Sequence, residues 1–236
     1  MSRVAAVTGA AGAIGSAVCR RLSEGGDAVV GLDAADGAVA AAVETFACDI
    51  SDAESVTAAF DAIRGRHGHP AVLVNSAGIT GAGGVEEESP EDWRRILDVN
   101  LTGAYLCTRQ VIAGMRAAGE GRIVNIASVN GRFGGSPLSG PAYAASKGGL
   151  ITLTRFLALH HATDNITVNA VAPGPHDTPM WQALDPAWRK RILDTVPGDA
   201  PGDPDDLAAM VEFLCGPHAG YITGATIDVN GGQWMG

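Results

Sequence analysis

An apolar run at residues 4–7 leads straight into Thr8-Gly9-Ala10-Ala11-Gly12-Ala13-Ile14-Gly15, and an amphipathic stretch follows. Glycine at every third position between a strand and a helix leaves bare backbone facing outward. Such a turn lets a pyrophosphate approach closely and rest on the amide N–H groups of the helix's first turn. The spacing is G-x-x-G-x-x-G, through Gly9, Gly12 and Gly15, in place of the more familiar G-x-G-x-x-G. Its position, with a strand before and a helix after, points to dinucleotide binding.

The rest of the chain continues this alternation. Apolar runs at 4–7, 28–33, 45–48, 71–75, 122–127, 166–172 and 225–229 read as strands. Most are apolar on both faces, as a parallel sheet covered on both sides requires. Helices are expected at 13–25, 52–66, 90–118, 141–162 and 204–215. Their starts are marked by Ser51 with Glu54 as a capping box, and by Ser89, Pro90 and Asp92 as cap, first-turn proline and first-turn acid. Asp203, Pro204 and Asp206 repeat that second arrangement. The second crossover, 34–44, is short and Ala-rich. The expected fold is α/β: a Rossmann-type doubly wound parallel sheet of about seven strands with right-handed crossovers. It forms a single domain over 1–236. The stretch 175–202 carries five prolines and two tryptophans and reads as a lid or binding loop.

Composition narrows the partners. The net charge of −10 argues against nucleic acid or an anionic membrane as the main partner. Cys19, Cys48, Cys107 and Cys215 lie far apart in apolar contexts, without metal-ligand spacing, and read as buried thiols in a reducing compartment. No segment has the length of apolar chain that a membrane span needs, and no signal-peptide core follows Met1. A cytoplasmic protein without a metal is expected.

Three further features carry chemistry. Asp33 ends the second strand, where a carboxylate can accept hydrogen bonds from an adenosine ribose and repel a 2′-phosphate. No Lys or Arg lies in the glycine turn or at 31–40, so NAD is expected over NADP. Asp49, after the third strand, either meets the adenine edge or only forms the turn before Ser51. Asn75-Ser76-Ala77-Gly78 ends the fourth strand at the sheet edge where such a crevice lies. Tyr143 precedes Lys147 by one helical turn, so both side chains share a face. An ammonium there stabilises phenolate and draws the phenol pKa down from about 10, making a general acid/base.

In order and spacing these residues resemble the short-chain dehydrogenases/reductases, and within them the 3-oxoacyl-reductase-like group. The resemblance runs from Thr8 to Gly232 and rests on the glycine turn, Asn75-Ser76-Ala77-Gly78, Asn100 in Asp98-Val99-Asn100, Ser128, Tyr143 with Lys147, and Pro173-Gly174. It implies a catalytic tetrad of Asn100, Ser128, Tyr143 and Lys147. Tyr143 would transfer the carbinol proton, Ser128 would bond the substrate oxygen, Lys147 would hold the nicotinamide ribose, and Asn100 would hold a water leading to Lys147. The implied cofactor contacts are Gly9, Gly12, Ala13, Ile14, Gly15, Asp33, Asp49, Ile50, Asn75, Ala77, Gly78, Tyr143, Lys147, Pro173, Gly174, His176 and Thr178. The implied activity is hydride transfer between NAD(H) and a small-molecule carbonyl or secondary alcohol, by a homotetramer built on helices 90–118 and 141–162 and the C-terminal strand region.

Several departures from the family pattern stand out. Ser76 replaces a second Asn. The spacing from Ser128 to Tyr143 is fifteen residues, longer than the family's, which lengthens the 130–141 loop beside the substrate. His176 stands where the family has an aliphatic residue, and reads either as a cofactor neighbour or as a solvated lid histidine. Met180, Trp181, Leu184 and Trp188 either line an apolar pocket or pack the lid onto the core or a neighbouring subunit. Glu86-Glu87-Glu88 reads as a solvated loop. Three rivals are weighed: a 3-oxoacyl-(carrier protein) reductase proper, a lyase or dehalogenase variant of the fold, which would lose the glycine turn or replace Lys147, and a non-catalytic dinucleotide-binding sensor. The sensor would be expected to lose Ser128, Tyr143 or Lys147, and all three are present.

Overall fold

The computed structural model describes residues 2–35, 37, 39–135 and 138–236. Parts of the 34–44 crossover and of the 130–141 loop therefore lie outside the described residues. Seven parallel strands form one sheet: β1 (Val4–Thr8), β2 (Ala28–Asp33), β3 (Glu44–Ala47), β4 (Val72–Asn75), β5 (Gly121–Ile126), β6 (Ile166–Pro173) and β7 (Thr226–Val229). Their order is β3-β2-β1-β4-β5-β6-β7. The chain winds outward one way from β1 and the other way from β4, so the crevice between these strands is the switch point where ligands bind in such sheets. Thr8 of β1 and Asn75 of β4 are paired in register, which brings the glycine turn and the Asn75–Gly78 segment side by side.

The strands are covered on both faces, and alternation along β1 shows how. Ala5 and Val7 pack in one cluster with α1 (Ala13–Glu24) and α9 (Pro204–Cys215). Val4 and Ala6 belong to the opposite cluster, with Phe60 and Ile63 of α2 (Ala53–His67), Val111 and Met115 of α4 (Gly103–Ala118), and Leu157 of α6 (Pro141–His161). All four cysteines are buried and free. Among the described residues no helix is long and apolar enough to cross a membrane.

Three local expectations are corrected. The cap of α2 is Asp52, which accepts the Glu54 N–H at 3.0 Å, while Ser51 turns back to Asp49. The helix expected over 90–118 is divided: α3 (Pro90–Leu97) passes through a π-helical turn at Asp98–Thr102 before α4 begins. Asn100 sits inside that turn, and such bulges occur often at functional sites. Three short helices were not anticipated: α5 (Asn130–Phe133), α7 (Pro179–Gln182) and α8 (Pro186–Leu193). The last two lie in the lid, which is tied at its base by a parallel bridge between His176 and Gly202.

Candidate active site

The glycine turn is shaped by close approach. Gly9 has φ +64°, and a Cβ there would lie 2.7 Å from the Ala77 Cα. A Cβ on Gly15 would run into the Gly9 carbonyl oxygen. Thr8 Oγ1 accepts the Ser76 and Ala77 N–H groups at 3.1 and 3.2 Å and locks the two strand ends together. The helix that follows has Gly12 as its cap residue and no side-chain cap, leaving first-turn amides for a ligand. These features fit a dinucleotide pyrophosphate.

A cavity of about 740 Å³ opens at the switch point. Gly9, Gly12, Ala13, Ile14 and Gly15 line it at one end, with Asp33, Asp49 and Ile50 beside them. Ala77, Gly78, Tyr143, Lys147, Pro173 and Thr178 line the other. Asp33 is engaged with its surroundings: Oδ2 accepts the Ala11 N–H at 2.9 Å and Oδ1 the Ala35 N–H at 3.0 Å. Asp49 accepts from both the N–H and the hydroxyl of Ser51, and these bonds, with Arg95 nearby, hold its carboxyl below the usual range. Arg95 was not anticipated. It reaches the cavity wall from α3, far from Asp33 in sequence.

Tyr143, in the first turn of α6, and Lys147, one turn further on, both line this cavity. Lys147 is buried, and its Nζ donates to the Ile126 carbonyl at 2.8 Å. Burial pulls its pKa down to about 8. The Tyr143 phenol lies near the Ser128 side chain. Burial raises the phenol's pKa, and the neighbouring Ser128 side chain opposes that rise. The Lys147 ammonium lies 5.7 Å from the centre of the Tyr143 ring. The expectation of a phenol drawn toward neutrality by Lys147 is therefore not met, because desolvation dominates. Ser128 Oγ also accepts the Asn130 N–H at 3.1 Å.

Asn100 is a clamp. Its Oδ1 accepts the Ile79 N–H at 2.8 Å, and its Nδ2 donates to the Ile79 carbonyl at 2.9 Å and to Ser146 Oγ at 3.1 Å. Gly78 fits between: a Cβ there would sit 3.2 Å from Lys147 Nζ and 3.3 Å from Asn100 Oδ1. The structure thus brings Asn100, Lys147 and the Gly78 backbone together.

Other expected contacts fall outside the cavity wall. Asn75 is buried and donates to Asn125 Oδ1 at 2.8 Å, holding β4 to β5. Gly174 faces Asn230, where a Cβ would lie 2.9 Å from its Cα. His176 is buried beneath the lid base, not solvated and not in the cavity. Its Nδ1 meets the Gly174 carbonyl at 3.0 Å, and Nε2 has no hydrogen-bond partner among the described residues. Trp181 is buried and outside the cavity wall, whereas exposed Met180 lines it. Trp188 is half-exposed, with the Arg191 guanidinium 4.6 Å from its ring centre. Glu88, expected in solvent, is half-buried and accepts the Ala142 N–H at 2.9 Å.

Comparison with known proteins agrees with this geometry. The family model described as enoyl-(acyl carrier protein) reductase matches residues 9–233. The chain is 38% identical over 240 residues to the 3-oxoacyl-(acyl-carrier-protein) reductase FabG of Vibrio harveyi, covering 99% of this chain and 98% of the relative. It is 37% identical over 242 residues to the acetoacetyl-CoA reductase of Rhizobium meliloti (strain 1021), covering all of both chains. It is also 38% identical over 240 residues to the cis-4-hydroxycyclohexanecarboxylate dehydrogenase of Sinomonas cyclohexanicum, covering 98% and 96%.

Proposed function

The chain belongs to the short-chain dehydrogenase/reductase family, and on that premise we propose that it is an NAD(H)-dependent oxidoreductase acting on a carbonyl or secondary alcohol. One observation carries this reading: a single cavity is lined by the glycine turn and by Tyr143 and Lys147. When bound, the nicotinamide ring supplies or accepts the hydride.

The chain's own residues do the rest. The first-turn amides of Ala13, Ile14 and Gly15 hold the pyrophosphate. Asp33 accepts from the adenosine ribose and disfavours a 2′-phosphate. Lys147 holds the nicotinamide ribose, and Thr178 meets the carboxamide. Tyr143 gives its phenolic proton to the substrate oxygen in reduction and takes it back in oxidation. Ser128 donates to the same oxygen and steadies charge that develops there. Asn100 keeps the segment from Ile79 fixed against α6. Tyr105 on α4, with Phe156 and Leu159 on α6, are exposed apolar groups suited to the faces of a homotetramer. A cytoplasmic location suits the four free thiols.

A second reading, reduction of a 3-oxoacyl thioester, is favoured by the names of relatives 37–38% identical to this chain. Set against it are Asp33 and the net charge of −10, which would repel an acidic carrier protein. The test follows absorbance of reduced nicotinamide. One arm offers NAD with a panel of secondary alcohols, including cyclic hydroxy acids; the other offers NADH or NADPH with acetoacetyl-CoA. Turnover in the first arm supports the main reading, and turnover confined to the second supports the alternative. Tight cofactor binding with no turnover in either arm would contradict both and point to a sensor.

A further inference from the structure

Helix α6 carries Tyr143 and Lys147, yet its own sequence leaves its start uncapped. Gly140, at φ +73°, provides no side chain, and Pro141 has no N–H. The first amide that needs an acceptor is Ala142, directly before Tyr143. Its partner comes from 54 residues earlier: Glu88 Oε2 accepts the Ala142 N–H at 2.9 Å.

The carboxylate occupies a slot made for it. A Cβ on Gly81 would lie 2.5 Å from Glu88 Oε1, and one on Gly140 would lie 2.6 Å from the same atom. Oε1 is buried there without a hydrogen-bond partner among the described residues. Gly81 N–H donates to the Ser139 carbonyl at 3.1 Å, so the strap from Ile79 to Glu88 lies along the approach to α6. The strap is fixed at both ends to the same helix. Asn100 joins Ile79 to Ser146, and Glu88 joins the other end to Ala142.

Resting on the role given to Tyr143 above, we infer that Glu88 is a positioning residue that sets the start of the catalytic helix. A carboxylate at a helix N-terminus makes a charge-assisted bond and complements the helix dipole. It touches none of the reacting atoms. It acts by holding the first turn of α6, and with it the Tyr143 hydroxyl, against Ser128. A displacement of about 1 Å at such a group costs about a hundredfold in rate.

The test uses the full-length protein with three substitutions and two readouts. The first readout is hydrogen exchange at amides 142–147 without cofactor, and the second is steady-state kinetics with the cofactor dissociation constant measured alongside. Glu88→Ala should speed exchange at 142–147 by about tenfold or more, with distant strands unchanged. It should lower kcat by about ten- to a hundredfold while KM and cofactor affinity stay within about threefold. Glu88→Gln keeps an acceptor oxygen and should recover most of both losses. Glu86→Ala, exposed and two residues away, should match wild type. If Glu88→Ala does not fold, Glu88→Asp, one methylene shorter, is read in the same way. Exchange at 142–147 within about twofold of wild type, or kcat within about twofold, overturns the inference. A wild type that turns over nothing would sink the role of Tyr143 instead, and the exchange arm would still decide whether Glu88 holds α6.

Discussion

Asp33 is bonded to the glycine turn it faces: its Oδ2 accepts the Ala11 N–H at 2.9 Å. The carboxylate at the end of β2 therefore does two jobs. It stiffens the turn and presents negative charge to the adenosine end of the cavity. Truncating it would disturb both, so cofactor choice is best probed with a substitution that keeps an acceptor.

Wild type should prefer NAD over NADP by about two orders of magnitude in kcat/KM, since each 1.4 kcal/mol is about tenfold. Asp33→Asn keeps an oxygen for Ala11 and should narrow the gap to about tenfold or less. Arg95→Ala should leave it within about threefold, because Arg95 acts through its charge near Asp49 rather than on Asp33. Steady-state kinetics with both cofactors at one saturating substrate gives all three ratios. Equal use of NADP by wild type would mean that Arg95 serves a 2′-phosphate.

Lys147 predicts a pH dependence of stability. Its folded pKa is about 8, against an ordinary 10.5. Below pH 8 it is charged in both states and its burial cost is fully present. Between 8 and 10.5 the unfolded chain still binds a proton that the folded protein has released, so stability rises with pH. Relative to Lys147→Met, wild type should gain up to about 3 kcal/mol across that window and nothing below it. Urea denaturation of both proteins at four pH values measures the difference, and a constant gap would contradict the burial account.

In the lid, neighbouring residues should behave differently. Trp181 is buried outside the cavity, so Trp181→Ala should cost about 3 kcal/mol of stability. Met180 is exposed and lines the cavity, so Met180→Ala should change KM for bulky apolar substrates more than for small ones. Denaturation curves and a substrate series separate the two effects.

His176 and Gly202 should be energetically coupled. A Cβ on Gly202 would lie 2.9 Å from His176 Nε2. Gly202→Ala alone should destabilise by about 1–3 kcal/mol. In a His176→Ala background the same change should cost less than about half as much. Additive effects in the double-mutant cycle would mean that the ring moves aside freely.

Much of this architecture is legible in the sequence because strands buried on both faces read as unbroken apolar runs. All seven strands begin and end within one residue of expectation. The π-turn at Asn100 escaped because it is a shift of backbone hydrogen bonds, with no side-chain pattern to mark it. Ser51 and Asp52 are adjacent and both suit a cap; the capping-box spacing to Glu54 favours Ser51, whereas Ser51 is taken up by Asp49 and Asp52 caps the helix. Helices α7 and α8 did carry signals, Thr178-Pro179 and Asp185-Pro186, but these were lost among the lid's other prolines. The Tyr–Lys pair and the glycine turn are legible in local spacing, and Ser128 through the family resemblance. Arg95, Glu88 and the burial of His176 were not, because each depends on a partner brought from far along the chain: Asp49, Ala142 and Gly202.

The central claim is that Tyr143 moves the proton while the glycine turn holds the cofactor, and single-turnover hydride transfer with Tyr143→Phe tests it most directly. Phenylalanine keeps the ring and removes the hydroxyl that lies near Ser128. Cofactor affinity, followed by fluorescence of reduced nicotinamide, should stay within about threefold of wild type, and the transfer rate should fall by about two to four orders of magnitude. A rate within about tenfold of wild type, with the cofactor still bound, would contradict the account.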